Sequence, residues 1–229
     1  MKHLGLLLST LCLVISCSSL PTVYPIDGPA ASTSPQRCGW MFPEGKWQFL
    51  HSIEATMPGG EKALIMGLTV ISSRARTARC VIMTIEGLVV FDAQYDGQVI
   101  INRGIPPFDS EDFAKGLMDD IQLMFFMPQS PLFRSGALKN GSAVCRYQNP
   151  DGHLVDLVTD SDDSWELKQY SKDFGLARTV KVSPGKRTGH SDPVGIPGRL
   201  ELTAYSPRNY ALVMDLVEAV ALETVSLTP

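Results

Sequence analysis

Short runs of alternating apolar and polar residues, separated by turns, occupy the first half of the folded region. Such alternation places successive side chains on opposite faces of a strand, whereas a helix repeats every 3.6 residues. Asp96-Gly97 is a strong hairpin signal between two of these runs. The pattern predicts a five-stranded antiparallel, up-and-down sheet, with strands over 46–57, 62–72, 80–85, 88–95 and 98–102.

The period of the pattern changes after residue 108. Asp109 or Ser110 can cap a helix, and Pro128 would end it. Between them, apolar residues recur every three or four positions. We expect a helix whose apolar face lies across the concave side of the sheet. The residues of that face are Phe113, Leu117, Ile121 and Met124 or Phe125.

Strand signals return in the second half of the chain. Strands are predicted over 142–147, 153–159, 165–170, 176–182 and 199–205. The last run, 210–222, fits two structures: its spacing of leucine and valine suits a helix, and its valine content suits a strand. The fold class is therefore mainly β with one or more helices (α+β), in a single domain over 37–229.

Charge and hydrophobicity exclude several classes of protein. The 229 residues carry 20 Lys and Arg against 24 Asp and Glu, a net charge of −4, with no basic block. We therefore expect no nucleic-acid partner. With 44% hydrophobic and 19% charged residues the chain is not of disordered composition. It has no apolar run of the roughly 18 residues that a membrane-spanning helix needs.

The N-terminus has the pattern of a secretory signal. A short positive start precedes the apolar run 4–15, and Val14-Ile15-Ser16-Cys17 resembles a bacterial lipobox. The resemblance implies a signal peptide over 1–16 and lipid attachment at Cys17, with acyl chains such as palmitate; an ordinary signal peptide is the alternative. Two or three acyl chains hold a protein durably on a bilayer. Residues 17–36, rich in Pro, Ser and Thr, would be the lipidated cysteine and a flexible tether.

Ser18 and Ser19 follow the cysteine, with no Asp in second position. By resemblance to enterobacterial sorting, this favours the periplasmic face of the outer membrane over the inner membrane.

The sequence contains no recognisable arrangement of catalytic residues. Consecutive residues such as His190-Ser191-Asp192 cannot adopt the geometry of a hydrolase triad, and a polar loop explains them better. The acidic run 160–163 lacks the remaining ligands of a calcium loop. We expect no enzyme activity, no metal and no cofactor.

Three cysteines would remain in the folded body. Cys38, Cys80 and Cys145 allow either one disulfide with one buried thiol or three buried thiols.

The methionines and the helical stripe suggest a site. Flexible Met and Phe side chains line cavities for apolar ligands, although the same residues also build ordinary cores. The sequence alone does not decide between a ligand cavity and an ordinary packed core. The candidate cavity residues are Met66, Met83, Phe113, Leu117, Ile121 and Phe125.

The segment 87–128 resembles a group of uncharacterised bacterial lipoproteins whose genes often lie near aryl-polyene and lipid-export clusters. The similarity follows the order of a Gly-led strand at 86–91, the Tyr95-Asp96-Gly97 hairpin, the proline-rich link 105–108, a helix with Met118-Asp119-Asp120-Ile121-Gln122-Leu123, and Pro128. Phe126 and Met127 stand where that group usually has a Trp before the proline.

The same order of elements is similar to the lipoprotein carrier LolA and receptor LolB. That similarity implies an incomplete antiparallel β-barrel with a helix packed across its concave face. It also implies a membrane-anchored periplasmic lipoprotein that binds or transfers a lipid, a lipoprotein or another amphipathic ligand in a hydrophobic cavity. The alternative is a non-enzymatic structural or accessory subunit of a cell-envelope complex, with an unknown envelope protein as partner.

Replacing Cys17 by Ala should abolish lipid attachment, because the thiol is the acceptor of the lipid. The wild-type protein is expected in the detergent-soluble membrane fraction with a diacylglyceryl-modified N-terminal peptide by mass spectrometry. Cys12→Ala is the matched control and should leave that peptide unchanged. An unmodified Cys17 in wild-type protein purified from membranes would contradict the prediction.

Overall fold

The computed structural model describes residues 20–25, 41–159, 164–184 and 196–222. These residues form twelve strands and one helix, α1, at Glu111–Phe125. The strands in chain order are β1 Lys46–Thr56, β2 Lys62–Ser72, β3 Thr77–Met83, β4 Val89–Tyr95, β5 Val99–Gly104, β6 Leu132–Ala137, β7 Ala143–Gln148, β8 Leu154–Thr159, β9 Trp165–Tyr170, β10 Leu176–Pro184, β11 Pro197–Ala204 and β12 Tyr210–Ala221.

All twelve strands belong to a single antiparallel sheet, in the order β5-β4-β3-β2-β1-β12-β11-β10-β9-β8-β7-β6. Two meanders, β1–β5 and β6–β12, meet where β1 pairs with β12. The sheet is not closed into a barrel in the described residues, since β5 and β6 are its two edges. The predicted mainly β, antiparallel architecture with a helix is confirmed, and the ambiguous run 210–222 forms a strand.

Side-chain alternation decides which face of the sheet is buried. In β1, Phe49, His51, Ile53 and Ala55 are buried. In β2 both faces carry apolar residues, and the structure turns Gly67, Thr69 and Ile71 inward. A Cβ at Gly67 would lie 2.6 Å from Ile53 Cδ1, so a larger residue there would require the Ile53 side chain to shift.

Helix α1 begins and ends with clear local signals. Ser110 is its N-cap, and the Ser110 hydroxyl accepts a hydrogen bond of 3.1 Å from the Phe113 amide. Glu111 and Asp112 lie in the first turn, where negative charge is favourable. Phe126 is extended and terminates the helix before Pro128. The helix contacts β3, β4 and β5, and its inner face is buried, so it covers the concave side of the first meander as expected.

The strand β6 was not predicted. Its sequence, Leu-Phe-Arg-Ser-Gly-Ala, has no period-two alternation and includes a glycine, because β6 is an edge strand whose first three residues are exposed. Packing against β7, rather than a pattern in its own sequence, makes this segment a strand.

Residues 20–25, here called the N-terminal strap, pack on the outer face of the sheet. The backbone of Tyr24 pairs with Ala137, through two hydrogen bonds of 2.9 Å. Val23 is buried against Val144 and Val158. A buried valine and a backbone pair therefore hold residues 20–25 of the predicted tether to the body. The other tether residues, Cys17 and the signal peptide lie outside the described residues.

The cysteines divide into a disulfide and a thiol. Cys145 is disulfide-bonded, whereas Cys80 is free and buried. Burial raises the pKa of the Cys80 thiol to about 12, so it packs as a small apolar side chain. Of the alternatives left open by the sequence, the structure has the disulfide with a buried thiol. Within the described ranges, no helix is long and apolar enough to span a membrane.

Gly136→Ala should detach the N-terminal strap, because a Cβ at Gly136 would collide with the carbonyl oxygen of Tyr24. We expect a loss of about 1–3 kcal/mol in the free energy of unfolding and faster amide exchange in residues 20–25. Gly59→Ala is the control, since a Cβ there meets no atom within 4 Å. Equal behaviour of the two variants would contradict the assigned strap contact.

Candidate functional site: the apolar face beneath the helix

The concave face of the sheet and the inner face of α1 form one apolar cluster that runs across both meanders. Aromatic rings connect the helix to the first meander. Phe125 stacks on Phe49 with centroids 5.3 Å apart, and Phe113 meets Phe91 edge-on at 5.1 Å. A large aromatic and aliphatic surface therefore lies beneath helix α1.

A different segment covers the second meander. Met41 and Phe42 are buried against the inner face, and the Phe42 ring lies 5.4 Å from that of Trp165 in β9. The concave face thus has two covers: α1 over β3–β5 and the segment just before β1 over β9.

The structure brings four of the six predicted cavity residues together. Ile121 and Phe125 are buried on the inner face of α1, while Phe113 and Leu117 are half-buried and pack against the same cluster. In this structure the inner face of α1 is in contact with the sheet along its length.

The two predicted methionines lie elsewhere. Met66 and Met83 are cross-strand partners, and each alternates with residues that face inward, namely Gly67 and Ile82. They therefore occupy the outer face of the sheet and do not line the space beneath the helix. Period-two alternation places Met66 on the outer face once Gly67 faces inward. The sequence alone does not indicate which of the two apolar faces of β2 turns inward.

Sequence reasoning missed the polar group that holds the helix to the second meander. Asp120 is 2% exposed, and its carboxylate lies 2.9 Å from Arg178 Nε in β10. The Tyr210 hydroxyl of β12 donates a hydrogen bond to the same carboxylate. A signal was present, because Asp120 is three residues after Leu117 and so falls within the apolar stripe.

The charge on Asp120 is expensive in this position. Burial raises the pKa of its carboxyl to about 6, although Arg178, Tyr210 and Arg208 act in the opposite direction. Burial and the neighbouring Asp120 raise the pKa of Tyr210 to about 12, so the phenol keeps its proton and donates. The helix is therefore joined to β10 and β12 by a polar contact that is sensitive to protonation.

His51 is a second polar group inside the apolar cluster. Its ring lies 6.0 Å from that of Phe49 and 6.1 Å from that of Phe125, and its Nδ1 has no hydrogen-bond partner among the described residues. Burial lowers the pKa of His51 to about 4, with a small opposing effect of Asp215. The imidazole is neutral at pH 7 and offers an unused polar atom to anything that enters the cluster.

These features suit the binding of an apolar molecule with a small polar group. No group of His, Cys, Asp and Glu side chains in the part of the chain described here could hold a metal ion. An open depression of about 420 Å³ also exists, but it lies at the corner between β6 and β7, away from the helix. Its lining consists of Pro131, Leu132, Phe133, Gln148, Asn149 and Pro150.

Comparison with solved structures identifies the fold. A LolA superfamily protein from Nitrosomonas europaea superposes with a TM-score of 0.56 at 12% sequence identity, over 86% of this chain and 96% of the other. The two proteins therefore share the same overall fold. No protein-family model and no curated protein matches the sequence.

Two further structures show more distant similarity. One is described as an outer membrane lipoprotein-sorting protein domain, from Vibrio parahaemolyticus, with a TM-score of 0.44 and 13% identity over 82% of this chain and 88% of the other. The second is a DUF1329 family protein from Desulfovibrio piger, with a TM-score of 0.46 and 10% identity over 80% and 87% of the two chains.

The two buried groups should have opposite effects on the pH dependence of stability. Because the pKa of His51 is lowered to about 4 from 6.5, its contribution rises with pH between those values. Because the pKa of Asp120 is raised from 3.8 to about 6, its contribution falls with rising pH over nearly the same range. Each effect amounts to about 3 kcal/mol, so they largely cancel in the wild-type protein.

His51→Phe should expose the Asp120 effect. Its free energy of unfolding, measured by urea denaturation, should fall by about 3 kcal/mol as the pH rises from 4 to 6. His153→Phe replaces a half-exposed histidine and should keep the wild-type profile. A His51→Phe profile that matches the wild type would contradict the assignment.

Proposed function

We propose that this protein is a lipid-anchored lipoprotein of the outer membrane, on its periplasmic face, that binds the acyl chains of a lipid or lipoprotein on the concave face of its sheet. The observation that carries the proposal is that helix α1 lies over an extended apolar face that connects two meanders. Binding requires α1 to move away from the sheet, since its inner face is packed against it.

The construction of the fold supports such a movement. The hydrogen-bonded sheet runs without interruption from β5 to β6, and α1 contributes no strand to it. Displacing α1 would therefore break side-chain contacts and the polar contact of Asp120, while every backbone ladder stays intact. The chain leaves α1 through the extended segment 126–131, which reaches β6 without further helix.

A bound acyl chain replaces part of the apolar packing that is lost when the helix departs. A departing helix exposes Ile121, Phe125 and their neighbours, at about 25 cal/mol per Å² of apolar surface. An acyl chain that takes their place regains about 0.8 kcal/mol for each buried CH₂ group. Ligand binding thus substitutes one set of apolar contacts for another, and no covalent step is involved. We accordingly propose a carrier or receptor rather than an enzyme.

Two polar groups would give the site its orientation. His51 Nδ1 is available to an ester or amide of the ligand at the centre of the face. Arg178 and Asp120 would separate when the helix moves, which leaves the Arg178 guanidinium free to meet an anionic headgroup. The likeness in fold to a LolA superfamily protein supports the same class of ligand, since LolA is a lipoprotein carrier.

Leu117→Glu should strengthen fatty-acid binding several-fold, because a charge on the inner face of α1 weakens the packing of the helix that the ligand must displace from the sheet. The measurement is titration of the soluble body, with Cys17 replaced by Ser, with a fluorescent fatty acid. Leu117 is half-buried, so the fold should survive, as circular dichroism would verify. Lys115→Glu introduces the same side chain on the exposed face of α1 and should bind like the wild type.

Equal binding by both variants, or no binding by the wild type, would contradict the proposed function. Absence of lipid together with a stoichiometric envelope protein in native mass spectrometry would favour the accessory-subunit alternative instead.

A further inference from the structure

The outer face of β6–β8 carries a buried charged pair that the concave site does not use. Arg146 and Asp156 face each other across β7 and β8, with two N–O distances of 2.7 Å. Both are almost fully buried, although they lie on the face opposite the main core. Something must therefore exclude water from this face of the sheet.

The N-terminal strap is the cover. Arg146 Nη2 donates a hydrogen bond of 2.9 Å to the Pro21 carbonyl oxygen, and Val23 closes over Val144 and Val158. With the Tyr24 backbone paired to Ala137, three separate contacts fix the strap to β6–β8. Detachment would expose apolar side chains and leave a guanidinium hydrogen bond unmade, so the strap is a structural part of the body.

The strap begins close to the expected site of lipid attachment. Only three peptide steps separate Cys17 from Leu20, and an extended chain covers at most about 3.6 Å per residue. Cys17 therefore lies within about 11 Å of Leu20, whatever conformation the intervening residues adopt. A lipid on Cys17 would hold the body against the bilayer instead of several nanometres above it.

We propose that the strap sets the orientation of the body on its membrane, with edge strand β6 against the lipid headgroups and edge strand β5 directed away from them. The proposal rests on the lipid attachment at Cys17 proposed above, and the occupant of this surface is the bilayer that holds the anchor. The contacts of the strap lie on β6, β7 and β8, so the anchor lies beside the β6 edge of the sheet.

The exposed residues of β6 suit a headgroup region. Phe133 is 57% exposed, and the Arg134 guanidinium lies 5.8 Å from the centre of its ring. Leu132 is also exposed, and Lys139 follows the strand. An apolar ring beside exposed cations is the combination that enters the interface of a membrane with anionic lipids. Their place on the strand that holds the strap puts them within reach of the same bilayer.

Site-specific labelling tests the orientation on the complete lipidated protein. Phe133→Cys and Ile100→Cys place a thiol on β6 and β5 at exposed apolar positions, and an environment-sensitive fluorophore is attached to each. Cys80 is buried and Cys145 is disulfide-bonded, so the introduced thiol is the accessible one in the described ranges. The labelled proteins are reconstituted in vesicles of phosphatidylethanolamine and phosphatidylglycerol that contain a doxyl-labelled phospholipid.

The label at position 133 should be quenched several-fold more strongly than that at position 100. Insertion of a ten-residue Gly-Ser segment after Ser19 should remove the difference, because it frees the body from the anchor without altering a described contact. Val23→Asp, which disrupts the strap, should reduce it, whereas Thr22→Asp, at an exposed position of the strap, should not.

The outcomes separate the two proposals. Vesicle flotation with equal quenching at both positions would overturn the orientation while the anchor stands. Flotation with unequal quenching that survives the Gly-Ser insertion would overturn the role of the strap. Failure of the lipidated preparation to float with vesicles would overturn the anchor and the orientation together, whereas fatty-acid binding by the soluble body is measured independently of both.

Discussion

The pairing of β1 with β12 is the interaction on which the rest of the structure depends. These strands are far apart in sequence, yet they hold the two meanders together in one sheet. Their register, with a shift between Leu50 and His51, sets Phe49, His51 and Ile53 on the inner face. Helix α1 crosses this junction, since it packs on β3–β5 and reaches β10 and β12 through Asp120. Sheet continuity and helix placement therefore share one central element.

Burial of polar groups distinguishes this interior from a plain core. His51 and Asp120 each carry a pKa displaced toward the neutral form, because the apolar surroundings disfavour charge. Asp120 belongs to α1, and His51 lies beside Phe125 of the same helix. The helix is therefore attached to the sheet next to the buried polar groups whose charged forms are disfavoured. On the opposite face, Arg146 and Asp156 are fully paired beneath the strap. The contact of the strap with β6–β8 is therefore the more stable one, whereas the contact of α1 with the concave face is suited to exchange.

Alternation of apolar and polar residues was enough to predict most strands, because every second residue of a strand is buried when a sheet buries one face. The capping serine and the four-residue stripe likewise predicted α1. Alternation could not predict β6, because the residues of this edge strand are largely exposed and do not alternate. It could not predict the face on which Met66 lies either, because β2 is apolar on both faces. Asp120 and the strap depend on contacts with residues distant in sequence, Arg178 and Arg146, which local pattern cannot indicate.

The central claim is that a ligand takes the place of α1 on the concave face. Amide hydrogen exchange of the soluble body, with and without saturating fatty acid, measures it directly. The account predicts that exchange in Glu111–Phe125 accelerates when the ligand binds, while the amides of β1 and β12 stay protected. Unchanged or slower exchange in α1 with ligand bound would contradict it, because the ligand would then occupy another part of the molecule.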